Sequence, residues 1–86
     1  MHDDERVAVL STLQGFIEEL FGNEAPKLTM ATAIRESGLD SLDLVEILMM
    51  VEEHYAITLP AEETETAADV AGLIDSILAQ RLLLGK

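Results

Sequence analysis

Gly38-Leu39-Asp40-Ser41-Leu42-Asp43-Leu44-Val45-Glu46-Ile47-Leu48-Met49-Met50-Val51-Glu52-Glu53 is the stretch from which the fold is read. At 3.6 residues per turn, Leu44, Ile47, Leu48, Val51 and Tyr55 fall on one apolar stripe that should face a core. Leu42, Val45, Glu46, Met49, Glu52 and Glu53 fall on a second stripe that mixes apolar and acidic residues. A helix that only covers a core makes its outer face plainly polar. Leu, Val and Met rimmed by carboxylates point instead to a partner-docking surface. Asp40 suits the N-cap, with Asp43 three residues on, and Ser41 stands where the mixed face begins. The helix is predicted to run to about residue 54.

Beyond it, Tyr55-Ala-Ile-Thr-Leu-Pro60 alternates like a strand, but no second strand exists to pair with it. It is read as an extended link with Tyr55, Ile57 and Leu59 turned inward. Pro60 suits the first turn of a short helix over 60–65 bearing Glu62, Glu63 and Glu65. Thr66 or Asp69 caps a last helix whose stripe is Val70, Leu73, Ile74, Ile77, Leu78 and Leu82, and 83–86 reads as a frayed end. On the other side, Pro26, Thr29, Thr32 and Gly38 break any pattern over 23–40. That long connection carries the apolar anchors Leu28, Met30, Ile34 and Leu39, with room for a helical turn at 32–36. A first helix is predicted over 4–21. Asp3 and Asp4 are at its start, Val7, Leu10, Leu13, Ile17, Leu20 and Phe21 at helical spacing, and Gly22-Asn23 at its stop. The fold class is all-α. It is a small antiparallel four-helix bundle, three long helices and one short, with a long first loop and a single domain over 1–86.

The 86 residues suffice for one small domain. A 49% hydrophobic composition is too apolar for a disordered tail, and with 3% aromatics the core must be aliphatic. Five basic against seventeen acidic residues give a net charge of -12. That argues against nucleic acid, whose phosphates are neutralised by Lys and Arg. It favours partners with basic patches, and self-repulsion favours a monomer. The absence of cysteine excludes a disulfide, a thiolate nucleophile and a Cys-ligated metal. The acidic start Met1-His2-Asp3-Asp4-Glu5 is not a signal peptide, and no apolar run reaches the roughly 18 residues of a membrane span. A cytoplasmic chain without membrane insertion is expected.

Ser41 is the best candidate for chemistry, against the plainer reading that its hydroxyl only caps the helix. Its context is not Gly-x-Ser-x-Gly. The possible bases are His2, near the terminus, and His54, thirteen residues along the same helix and so about 20 Å away. No hydrolytic triad is built from these. At a helix start, the amide N–H groups and dipole suit a phosphate on the serine. Asp40, Asp43 and Glu46 sit three apart rather than at EF-hand spacing, so no specific metal is expected.

Asp40-Ser41-Leu42-Asp43, then Val45-Glu46 and the run to Glu52-Glu53, closely resembles the signature of acyl carrier proteins of fatty acid and polyketide synthesis. The resemblance extends to Tyr55, Leu59-Pro60, the acidic short helix and a final helix near Val70. It implies that Ser41 bears 4'-phosphopantetheine, donated by coenzyme A through a separate magnesium-dependent phosphopantetheinyl transferase. The arm's thiol then holds acyl groups as thioesters. Asp40 would help present the site. Leu42, Val45, Glu46, Met49, Glu52 and Glu53 would dock basic patches of acyltransferases, ketosynthases or acyl-activating ligases. Leu48, Val51, Ile57, Leu59, Ala67 and Val70 would line an acyl pocket between the central and short helices. The chain itself would be a carrier and not a catalyst. His54, Ala67-Ala68 and Leu44 depart from the family's usual residues. An aminoacyl or peptidyl carrier is the neighbouring alternative. A helical interaction adaptor, which has no use for Ser41, is the alternative from another class.

Overall fold

The structure, a computed structural model, describes residues 2–84, and of His2, Asp3, Ala61, Glu63, Glu65, Leu83 and Leu84 it describes the backbone alone. The expectations resting on Met1, on Gly85-Lys86 and on the side chains of His2, Asp3, Glu63 and Glu65 lie outside what is described, whereas Leu83 and Leu84, expected to fray, continue the last helix. Four α-helices follow in order: α1 His2–Phe21, α2 Ser41–Tyr55, α3 Ala61–Thr66 and α4 Val70–Leu84. Single 3-10 turns at Gly22–Glu24 and Ile34–Glu36 interrupt the long α1–α2 connection. The second lies within the helical turn expected there. The architecture is the all-α, three-long-one-short arrangement read from the sequence, and the radius of gyration of 12.0 Å equals the roughly 12 Å of a compact chain this long.

The core is aliphatic. Val9, Leu13 and Ile17 of α1 meet Ile47 and Val51 of α2, Ile57 and Leu59 of the link, and Val70, Leu73, Ile74 and Ile77 of α4. Two predicted stripes need correction. Val9 is fully buried, whereas Val7 is 60% exposed, because six residues from Leu13 is about 120° round the helix. Leu20 and Leu82, near their helix ends, are exposed as well.

Polar contacts hold the connection in place. The Gln14 side-chain amide donates to Pro26 O at 2.8 Å and accepts the Leu28 N–H at 2.9 Å, strapping the loop to α1. Further on, the loop supplies the start of α4. Val70 N–H bonds Thr32 O at 2.9 Å and Ala71 N–H bonds Met30 O at 3.0 Å. Asp69 Oδ1 accepts Gly72 N–H at 2.8 Å, so Asp69 is the cap, while the Thr66 hydroxyl bonds back to Glu62 O. The first N–H groups of a helix lack intrahelical partners, and here two of them are satisfied by a segment some forty residues earlier. Ile34 N–H returns a bond to Ala68 O, and an isolated bridge pairs Ala33 with Asp69. The link after α2 carries no ladder, and Ile57 and Leu59 turn into the core.

Candidate functional site

The chain reaches Ser41 through a tightly made turn. Ser37 is buried, its hydroxyl donating to Ile34 O at 2.7 Å and accepting Leu39 N–H at 3.3 Å. Gly38 then takes φ +91, a conformation only glycine adopts without strain. Asp40 caps α2 in a reciprocal box. Asp43 N–H bonds Asp40 Oδ1 at 2.9 Å and Asp40 N–H bonds Asp43 Oδ2 at 3.3 Å. The helix start therefore does not use the serine. Ser41 is the first residue of α2 and is exposed. Among the described residues its hydroxyl has no hydrogen-bond partner, and the plainer reading of Ser41 as a cap gives way to Asp40. The amides of Ser41 and Leu42 face the same helix end, where anions are favoured.

From that serine the mixed face runs down α2. Leu42 is 74% exposed, Val45 52% and Met49 61%, and Glu46 and Glu53 are exposed beside them. Glu52 alone of the six predicted docking residues is drawn inward. It is half-buried and its carboxylate accepts the Leu59 N–H at 2.7 Å. Sequence spacing missed this, because the partner is a backbone amide in an irregular segment. Of the residues predicted to line an acyl pocket, Val51, Ile57, Leu59 and Val70 are buried together, with Leu48 and Ala67 packed against them.

His54 stands at the far end of α2 from Ser41, thirteen residues and about 20 Å on. Its ring meets Phe16 edge-on at 5.5 Å and Tyr55 at 4.7 Å, and the Arg81 guanidinium lies 4.7 Å over Tyr55. His54 is exposed, held by these ring contacts, and is in no position to serve Ser41 as a base. Among the described residues no three His, Asp or Glu side chains are grouped to hold a metal ion. No helix there is long and apolar enough to cross a membrane.

The family model for the phosphopantetheine attachment site matches residues 11–77. Acyl carrier proteins of Helicobacter acinonychis and Clostridium acetobutylicum are similar over nearly their whole length. The first is 31% identical, covering 88% of this chain and 99% of its own. The second is 33% identical, covering 83% and 94%. The chain belongs to the acyl carrier protein family. A crystal structure of an acyl carrier protein from Thermotoga maritima shares the fold with a TM-score of 0.84 at 23% identity, over 98% of this chain and 99% of that one. A solution structure of holo acyl carrier protein from Geobacter metallireducens gives 0.71 at 24% identity, over 90% and 92%.

Acyl carrier proteins carry cargo and do not transform it, and the prosthetic group that goes with the family is phosphopantetheine. The geometry at the start of α2 fits that group. The Ser41 hydroxyl is exposed and uncommitted, its helix end favours a phosphate, and the fold does not depend on it for a cap.

Proposed function

We propose that Ser41 is the residue esterified to 4'-phosphopantetheine and that the chain delivers acyl thioesters to partner enzymes of fatty acid or polyketide biosynthesis. The observation that carries this is the capping geometry. Asp40 and Asp43 close the helix start between themselves, which leaves the Ser41 hydroxyl exposed and free to be esterified. The bound arm supplies a terminal thiol, which a chain without cysteine otherwise lacks. Asp40 holds the first turn in place and, as the acidic residue before the serine, would help present the site to the transferase and its magnesium.

Partners dock on Leu42, Val45, Glu46, Met49 and Glu53. Three exposed apolar side chains between carboxylates suit an enzyme patch with cations around an apolar centre, and the charge of -12 steers the encounter. Such partners are a phosphopantetheinyl transferase and acyltransferases, ketosynthases or acyl-activating ligases. The acyl chain retreats among Leu48, Val51, Ile57, Leu59, Ala67 and Val70, parting α2 from α3. The chain works as a monomeric, single-domain carrier in the cytoplasm.

The test is an intact mass after incubation with coenzyme A, magnesium and a broad-specificity transferase, beside a Ser41→Ala variant of matching circular dichroism. One phosphopantetheine is expected on the parent and none on the variant. An unmodified parent, with the transferase active on another carrier, would refute the assignment.

A further inference from the structure

Glu52 lies in the last turn of α2, where the helix dipole disfavours a carboxylate. What it does there is visible in the four residues that follow the helix, 56–59. Ala56 takes a left-handed conformation at φ 56 and turns its N–H back to Glu52 O. Ile57 N–H bonds the same carbonyl at 3.0 Å. The Glu52 carboxylate then takes the Leu59 N–H at 2.7 Å. Three donors of the link thus end on one residue. In an extended segment, alternate side chains share a face. Fixing Ile57 and Leu59 by their amides sets both side chains into the core, where they are 6% and 8% exposed. Glu46 and Glu53, by contrast, are exposed, and their carboxylates accept no hydrogen bond from another described residue.

We propose that Glu52 is a positioning residue that latches the α2–α3 link onto α2, and that the docking charge of the α2 face is carried by Glu46 and Glu53. A carboxylate already bound to a backbone amide is a poorer partner for an incoming cation. A cation that did take it would release Leu59 and loosen the wall of the core beside α3. The docking half of the proposal rests on the carrier reading above. The latch half does not.

Glutamine separates the two roles, since it keeps an oxygen that accepts the Leu59 N–H and loses the charge. Amide exchange at Leu59 is followed by NMR in the parent, Glu52→Gln and Glu52→Ala, each as the full chain. The transferase reaction is run on the same proteins and on Glu46→Gln and Glu53→Gln. Leu59 is expected to exchange about tenfold or more faster in Glu52→Ala and to stay near the parent rate in Glu52→Gln. The transferase KM is expected to rise in Glu46→Gln and Glu53→Gln and to hold in Glu52→Gln. Unchanged Leu59 exchange in Glu52→Ala would overturn the latch. A KM in Glu52→Gln raised as far as in Glu46→Gln would return Glu52 to the docking face. If Ser41 were never modified, the carrier reading would fail and the exchange data would still decide the latch.

Discussion

Gln14→Ala tests how the long connection before the serine is held. Gln14 is half-buried in the middle of α1, and its amide forms both a donor bond to Pro26 O and an acceptor bond from Leu28 N–H. Truncation removes both and strands two partly buried backbone groups. At about 1 kcal/mol net for each bond, the loss is about 2 kcal/mol. Alanine's better helix propensity returns a few tenths of a kcal/mol, roughly, and water reaching the stranded groups returns a little more. A net cost of about 1.5 kcal/mol lowers the thermal midpoint of a domain this size by roughly 6–12 °C. Thermal denaturation followed by circular dichroism reads this directly, with Ser11→Ala, an exposed site on the same helix, as the control. Leu28 amide exchange should accelerate in step. Gln14→Glu keeps an acceptor for Leu28, loses the donor to Pro26 and sets a carboxylate beside Glu18, to which Gln14 now donates at 3.3 Å. It should be at least as destabilised as Gln14→Ala at low salt and should recover part of the loss as salt is added. A Gln14→Ala midpoint no lower than that of Ser11→Ala, with Leu28 exchange unchanged, would refute the strap.

Asp40→Ala should cost about 1 kcal/mol by opening the capping box, read by urea denaturation, while Ser41→Ala should leave stability within about 0.5 kcal/mol of the parent. The pair checks that the cap is Asp40 and not the proposed attachment residue, Ser41. Ala56→Gly should stabilise by about 0.5–1 kcal/mol, because glycine adopts the left-handed conformation at φ 56 without the clash of a Cβ. A lower midpoint in a thermal scan would contradict that reading of the α2 end. Ile74→Ala, at a side chain with no exposure, should cost about 2–5 kcal/mol in urea denaturation. Glu46→Lys should slow transferase loading, and added salt should slow loading of the parent. Rates indifferent to both would exclude electrostatic docking.

The sequence by itself determined a good deal. The period of the apolar residues marked the three long helices, because a helix must bury one stripe and the stripe's spacing is set by its pitch, and Pro60 marked the short one. Asp40 with Asp43, and Gly22 after Phe21, set boundaries that the helices observe, because caps are local interactions made by neighbouring residues. The mixed face of α2 was legible for the same reason, and five of its six residues are exposed where the pattern put them. Tertiary structure decided what periodicity leaves open. Val7 and Val9 lie in one apolar run, and only the positions of α2 and α4 select Val9 for the core. Asp69 rather than Thr66 caps α4 because the Thr32 and Met30 carbonyls meet the helix where Asp69 begins it. Glu52 was read outward from its spacing, and the Leu59 amide turns it inward. Gln14, Ser37 and Glu52 all work by bonding backbone groups in irregular segments. Those groups carry no side-chain pattern, so their positions exist only once the chain has folded.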